Sequence, residues 1–267
     1  MKILPLAGLL VLAGHGPYAP SGGHLVIVGG GGTTDAIVEK ALALAGGKSA
    51  RMVVLAQASA RENAGEGSVR FWTEKGATSV TSLDLADREA AAKAIAQADL
   101  IWFPGGDQNR LLRAITEADL AGAIRARYQA GAVVGGTSAG AAVMSPAMIV
   151  GGESADLKAV RSGGTTIAEG LGLFPDSIVD QHFLARQRFN RLLAAVLDRP
   201  KLVGIGIDEK TAIVCNGRSF EVVGEGGVLV LDARKAALEK TEEGGLPGGT
   251  GVQLAFLRPG MRFDLGP

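Results

Sequence analysis

The chain has 267 residues, of which 47% are hydrophobic and 20% charged, a balance that suits a packed globular protein and excludes an intrinsically disordered one. Its 27 basic and 27 acidic side chains cancel, so no net positive field favours a nucleic-acid partner. The single cysteine, Cys215, excludes an internal disulfide. It lies in a predicted strand, where we expect a small buried side chain rather than a reactive thiol.

The amino-terminal segment carries Lys2 and then an apolar run from Ile3 to Ala13. This run is too short to span a bilayer, but it is typical of a secretory signal. We therefore expect residues 1–22 to be a leader that directs export to the periplasm or the cell exterior, with no stable membrane insertion. No A-x-A cleavage box follows, so a cytoplasmic protein with an ordinary extension is the alternative. Residues 23–267 are expected to form a single α/β domain.

Short β-branched runs then alternate with helical patterns, which predicts a mostly parallel, doubly wound sheet flanked by helices. The predicted strands are 24–29, 52–56, 79–85, 100–103 and 132–134, the last ending in a turn at Gly135-Gly136. The predicted helices are 34–45, 88–98, 109–115 and 117–130. In such a fold the ligand site lies at the carboxyl ends of the strands.

From about Leu202 the pattern changes to short runs at 203–207, 211–215, 220–223 and 228–231. Asn216-Gly217 lies between two of these runs, and this dipeptide is a strong hairpin signal. We therefore predict a carboxyl-terminal antiparallel β extension that closes one side of the sheet.

Gly136-Thr-Ser-Ala-Gly140 matches the G-x-S-x-G pattern and follows a predicted strand. Glycines on both sides of a serine let the chain turn sharply and project the hydroxyl, so Ser138 is a candidate nucleophile. The alternative is a turn of small residues. The amide of Ala139, next after the serine, is the usual first oxyanion donor, and Gly106 in the turn after the 100–103 strand is the expected second one.

A serine hydroxyl needs a base within hydrogen-bonding distance. His15 lies in the leader and His24 at the start of the first strand, so elimination leaves His182. It follows Asp180 and Gln181 in an apolar run, where three consecutive polar residues need a role or partners. A carboxylate should orient the histidine, and Asp208, Glu209 and Asp180 all remain candidates.

Two further features bear on ligands. Arg186, Arg188 and Arg191 follow the candidate base closely and suggest carboxylate recognition, although a solvated helix face is the plain alternative. The run Gly29-Gly-Gly-Gly-Thr-Thr34 does not match the spacing of a dinucleotide-binding loop, and no zinc-type cluster of histidine and cysteine occurs. We therefore expect no cofactor and no catalytic metal.

These motifs resemble those of the cyanophycinases, serine peptidases related to dipeptidase E that have a class I glutamine-amidotransferase-like fold. The matching blocks are Gly105-Gly-Asp-Gln108, Gly135-Gly-Thr-Ser-Ala-Gly-Ala141, Gly170-Leu-Gly-Leu173, Asp180-Gln-His-Phe-Leu-Ala-Arg-Gln-Arg-Phe-Asn-Arg-Leu192 and Gly204-Ile-Gly-Ile-Asp-Glu209. Thr211-Ala212 also matches, and in order and approximate spacing these blocks run through roughly the central 110 residues of the chain.

The resemblance implies a triad of Ser138, His182 and Glu209, and so selects Glu209 among the three acids. It also implies that the residues lining the substrate pocket are Gln108, Asp180, Gln181, Arg186, Arg188 and Arg191. The implied substrate is cyanophycin, a poly-aspartate backbone with arginine joined to each β-carboxyl, from which β-Asp-Arg dipeptides are released. A homodimer is also implied.

The sequence leaves three alternative functions. An α-aspartyl dipeptidase of the same broader family would keep the serine and histidine but accept only short aspartyl peptides. A non-catalytic, exported peptide-binding relative would have no reason to keep all three triad residues. A glutamine-amidotransferase domain is disfavoured because that chemistry uses cysteine.

Overall fold

A computed structural model describes residues 22–150 and 160–266 of the chain. The predicted leader, residues 1–22, lies outside the described residues except for Gly22. The strands are, in chain order, β1 His24–Val28, β2 Met52–Val54, β3 Val80–Ser82, β4 Leu100–Phe103, β5 Val133–Thr137, β6 Ala147–Ile149, β7 Ile167–Glu169, β8 Ser177–Gln181, β9 Val203–Ile207, β10 Thr211–Asn216, β11 Ser219–Gly224, β12 Val228–Asp232, β13 Ala237–Leu238, β14 Gly249–Thr250, β15 Gln253–Leu257 and β16 Arg262–Asp264. The helices are α1 Asp35–Leu44, α2 Ala64–Glu74, α3 Arg88–Gln97, α4 Gln108–Glu117, α5 Ala121–Gln129, α6 Ala139–Ala142 and α7 Phe189–Asp198.

The main sheet has eight strands in the order β16-β11-β10-β1-β5-β4-β2-β3. The five strands from β1 to β3 in this order are parallel, and β10, β11 and β16 add antiparallel strands beside β1. Strands β1 and β4 are almost entirely buried because helices cover both faces of the sheet. The predicted α/β fold with a mostly parallel, helix-flanked sheet is confirmed.

The carboxyl-terminal strands are antiparallel for the most part, but they divide between two sheets. Strands β10 and β11 form the predicted hairpin at Asn216-Gly217 beside β1. Strands β9 and β12 instead join β8 and β15 in a four-stranded sheet, in which β8 and β9 are parallel. The glycines of β9 permit this arrangement, because a Cβ on Gly206 would lie 2.4 Å from the Phe183 ring and one on Gly204 2.6 Å from Val196.

Two local predictions were wrong. Gly135 and Gly136 are not a turn but belong to β5, since added Cβ atoms there would lie 2.5 Å from the Trp102 ring and 2.7 Å from the Gly140 carbonyl oxygen. Close packing requires these glycines, and the chain turns only at Ser138. The helix predicted from residue 117 begins at Ala121, because α4 continues to Glu117 and Asp119 adopts a positive φ of 56°.

Candidate active site

Ser138 occupies a sharp strand-to-helix turn between β5 and α6. Its backbone has φ 54° and ψ −112°, a conformation that a non-glycine residue adopts at a cost of about 1–3 kcal/mol. Two sets of hydrogen bonds hold it there. The Ser138 amide donates to the Val28 carbonyl at 3.0 Å, and the Ala141 and Ala142 amides donate to the Ser138 carbonyl at 2.9 and 3.1 Å. The hydroxyl therefore projects at the carboxyl end of the sheet.

His182 follows the last residue of β8 and reaches the serine from the second sheet. Its amide donates to the Gly29 carbonyl at 2.6 Å, which fixes the strand end against the loop after β1. The side chain is buried, and its Nε2 lies 3.0 Å from Ser138 Oγ. The structure thus brings together two residues that are 44 positions apart in the chain.

The sequence offers three acids that could orient His182, and each has a different partner in the structure. Glu209 Oε1 lies 2.6 Å from His182 Nδ1. Asp208 accepts a hydrogen bond from the Ala185 amide at 3.1 Å, and Asp180 forms an ion pair with Arg191. A carboxylate oxygen only accepts, so the Glu209 contact places the imidazole proton on Nδ1 and leaves Nε2 to accept from the serine hydroxyl.

The electrostatic setting favours a neutral imidazole. Burial lowers the pKa of His182, and the nearby positive charges of Arg186 and Arg188 lower it further, against the opposing effect of Glu209. A histidine with a lowered pKa stays unprotonated at neutral pH. It is therefore free to accept a proton from the serine.

The glycine run after β1 packs directly beneath this pair. A Cβ on Gly30 would lie 2.3 Å from His182 Cε1, and one on Gly31 would lie 2.5 Å from Glu209 Cβ. The Gly30 carbonyl also accepts from the Lys210 amide at 2.7 Å. The sequence suggests only a cofactor motif for this run, and its packing role is visible only in the structure. The available signal was four consecutive glycines directly after the first buried strand.

The two expected oxyanion donors lie on elements beside the serine. Ala139 is the fully buried first residue of α6. The turn after β4 passes close by, since a Cβ on Gly105 would lie 3.4 Å from Ser138 Cβ. Gly106 has φ 146° and packs against Ala58, whose carbonyl accepts from the Asp107 amide at 2.8 Å. The oxyanion role of Ala139 and Gly106 stays a prediction.

Four of the six residues expected to line the substrate pocket bond to one another. Arg191 forms an ion pair with Asp180, and Arg188 donates to the Gln181 carbonyl at 2.6 Å and to its side-chain oxygen at 2.7 Å. All four are buried. This network holds the segment that carries His182.

The other two pocket residues differ in setting. Gln108 donates to the Ile149 carbonyl at 3.0 Å, and Arg186 is exposed in the turn before α7. Contact of these six residues with substrate stays a prediction.

A cleft of about 650 Å³ adjoins the serine on the side of α2. Its walls include Thr137, the residue before Ser138, and Gly105 from the turn after β4. This cleft is not predictable from the motifs, because most of its wall comes from α2 and the loop before it, which contain none of them.

Cys215 is fully buried, as predicted, and burial raises the pKa of its thiol well above the ordinary value. Between residues 22 and 150 and between 160 and 266, no three His, Cys, Asp or Glu side chains cluster closely enough to hold a metal ion. None of the helices in these two ranges is both long and apolar enough to cross a membrane.

Comparison with known proteins gives three concordant matches. The sequence model of peptidase family S51 matches residues 25–223. A cyanophycinase of Geminocystis herdmanii is 38% identical over 208 residues, which cover 75% of each chain. A cyanophycinase of Trichormus variabilis is 39% identical over 197 residues, which cover 70% of this chain and 65% of the relative.

The fold has a solved counterpart in the crystal structure of a peptidase from an acI-B1 actinobacterium. It superimposes with a TM-score of 0.64 at 25% sequence identity. The superposition covers 91% of this chain and 97% of that peptidase.

Proposed function

Because this chain belongs to peptidase family S51 and is therefore a serine peptidase, we propose that it is a cyanophycinase that uses Ser138 as its nucleophile. This proposal rests on two contacts that His182 makes at once. Its Nε2 lies 3.0 Å from Ser138 Oγ, and its Nδ1 lies 2.6 Å from Glu209 Oε1. Three side chains from separate strand ends form one hydrogen-bonded line. This is the arrangement that activates a serine hydroxyl.

The chemistry is acyl transfer in two halves. His182 Nε2 takes the hydroxyl proton while Ser138 Oγ attacks the peptide carbonyl, and Glu209 stabilises the imidazolium that forms. The amides of Ala139 and Gly106 hold the developing oxyanion. The imidazolium then gives its proton to the leaving amine as the peptide bond breaks. A water molecule, deprotonated by the same histidine, releases the acyl group and regenerates the serine.

The polymer substrate is supported by the relatives and by local charge. The two relatives described above are cyanophycinases. Arg186 is an exposed cation four residues after His182, and it suits a substrate that bears a carboxylate on every repeat. We propose that release of β-Asp-Arg dipeptides from cyanophycin is the reaction.

The test uses the purified protein and its Ser138→Ala variant with insoluble cyanophycin and, separately, with Asp-Leu. Soluble products are followed by mass spectrometry, and circular dichroism checks that both proteins are folded. We expect the wild type to release β-Asp-Arg from the polymer and the variant to release none. Cleavage of Asp-Leu alone would mean an α-aspartyl dipeptidase, and cleavage of neither would mean a peptide-binding protein or another substrate.

Two further proposals concern the intact protein. We propose that residues 1–22 direct export, leaving residues 23–267 as one peptidase domain, because Lys2 precedes an apolar run of signal-peptide type. Amino-terminal sequencing tests this, since an intact Met1 in cytosolic protein would contradict export.

We also propose a homodimer, as in the family that the motifs resemble, and light scattering of the purified protein tests it.

A further inference from the structure

The proposed triad does not use the cleft beside Ser138. Its walls are the loops after β1 and β4, Trp102 of β4, Thr137 at the end of β5, and α2 with the loop before it. Thr137 and Gly105 border both the cleft and Ser138. A substrate held at the serine therefore has this space next to it, at the carboxyl edge of the parallel strands.

The volume and the lining suit part of a peptide chain. At about 650 Å³ the cleft lies within the range of about 300–1,000 Å³ that is typical of small-molecule sites. Its lining includes Phe71 and the indoles of Trp72 and Trp102, the latter two in edge contact with ring centroids 4.8 Å apart. The two indoles are buried and Phe71 is half-buried, so these rings give the cleft rigid, apolar walls.

The rim of the cleft carries charge of both signs. Arg61 and Arg70 line it, both are exposed, and neither guanidinium forms an ion pair with a carboxylate among the described residues. Glu66 lines the same cleft, one helical turn before Arg70 on α2. An unpaired guanidinium binds a carboxylate through two parallel hydrogen bonds. The rim therefore offers two carboxylate receptors and one receptor for a cation.

On the side of the serine where His182 and Glu209 lie, fewer charged side chains are exposed. His182 and Glu209 are packed against Gly30 and Gly31, and the Asp180–Arg191 pair behind them is buried. The charges on that side are thus largely satisfied within the protein. Arg186 is exposed on that side, and the cleft adds further charged groups for recognition of a charged chain.

We propose that this cleft is a subsite for two adjacent repeat units of the polymer, in which Arg61 and Arg70 each bind the free carboxylate of one arginine group and Glu66 binds a guanidinium. This inference rests on the proposed cyanophycinase function and adds specificity-determining residues to it. Every repeat of cyanophycin carries one carboxylate and one guanidinium, so mixed charge on a rigid cleft complements it. The contacts lie outside the triad, so they affect binding of the polymer without altering the reacting groups.

Binding is measured separately from turnover, in the Ser138→Ala background, by co-sedimentation with insoluble cyanophycin. We expect Arg61→Gln and Arg70→Gln each to weaken adsorption about tenfold and the double variant about a hundredfold. Arg258→Gln is the matched control, because Arg258 is an exposed arginine in the turn after β15, away from the cleft. It should adsorb like its parent.

A second polymer tests the chemistry of the contact. In cyanophycin whose arginine carboxylates have been converted to amides, the partners of Arg61 and Arg70 are gone, so both variants should adsorb within about twofold of the parent. Adsorption of native polymer by the variants as tight as by the parent would overturn the inference. The inference would also be overturned if the variants lost adsorption equally on both polymers, or if the parent did not adsorb at all.

The proposed function fails on a different result. A wild-type protein that releases no dipeptide refutes the cyanophycinase proposal, whatever the adsorption assay gives. A wild type that releases dipeptides, with variants that adsorb normally, refutes only the subsite.

Discussion

Substitution of Gly30 by alanine tests whether the glycine loop positions His182, the proposed catalytic base. The added Cβ would lie 2.3 Å from His182 Cε1 and 2.4 Å from Nε2, whereas ordinary contact begins at 3.4 Å. The ring must therefore move by about 1 Å, the difference between these distances. A misplacement of about 1 Å costs roughly a hundredfold in rate, or about 2.7 kcal/mol of transition-state stabilisation. We expect kcat/KM on cyanophycin to fall by about this factor, mainly through kcat.

Gly47→Ala is the matched control for this substitution. Both glycines have φ 101°, so alanine meets the same unfavourable backbone conformation, but a Cβ on Gly47 has nothing within 4 Å. Both variants should lose about 1 kcal/mol of unfolding free energy from the left-handed backbone conformation. Activity and thermal midpoint are measured for each. The reasoning fails if Gly30→Ala retains wild-type kcat/KM, or if Gly47→Ala loses as much activity.

Three further predictions concern the acids and the arginine near the histidine. Glu209→Gln should lower kcat by several orders of magnitude, because the amide can stabilise the wrong imidazole tautomer. Asp208→Asn keeps its acceptor oxygen for the Ala185 amide and should stay active. The reverse ranking in steady-state assays would assign the role to Asp208 instead. Burial and then the charge of Arg186 hold the pKa of His182 below about 6.5, so kcat/KM should fall only as pH drops through that lowered pKa. Arg186→Gln should move this acid limb upward, and an unmoved limb would count against the charge effect. Asp180→Asn should lower the free energy of unfolding by about 3 kcal/mol or more, because it leaves the buried charge of Arg191 without its partner carboxylate. Urea titrations measure this, and a loss below about 1 kcal/mol would contradict the prediction.

The parallel sheet and the turn at Ser138 could be predicted from local pattern. Buried parallel strands are continuous apolar runs, and short runs such as Leu100–Phe103 carry that signal within a few residues. The Gly-Thr-Ser-Ala-Gly segment by itself predicts the sharp turn at Ser138, because the φ of 54° there depends on small flanking residues. Elimination among three histidines also needed no coordinates.

Other features depended on residues far apart in the chain, and only the tertiary structure decided them. Glu209, Asp208 and Asp180 are equivalent as acids, and the parallel pairing of β8 with β9 is what directs Glu209 to His182 while Asp180 pairs with Arg191. The sequence predicts a turn at Gly135-Gly136, because the groups that exclude side chains there, the Trp102 ring at Gly135 and the Gly140 and Phe103 carbonyl oxygens at Gly136, lie outside this dipeptide. The cleft lined by Arg61 and Arg70 likewise forms between α2 and three strand ends. Local backbone preferences act over a few residues and can be read along the chain, whereas contacts between side chains distant in sequence exist only once the sheets have assembled.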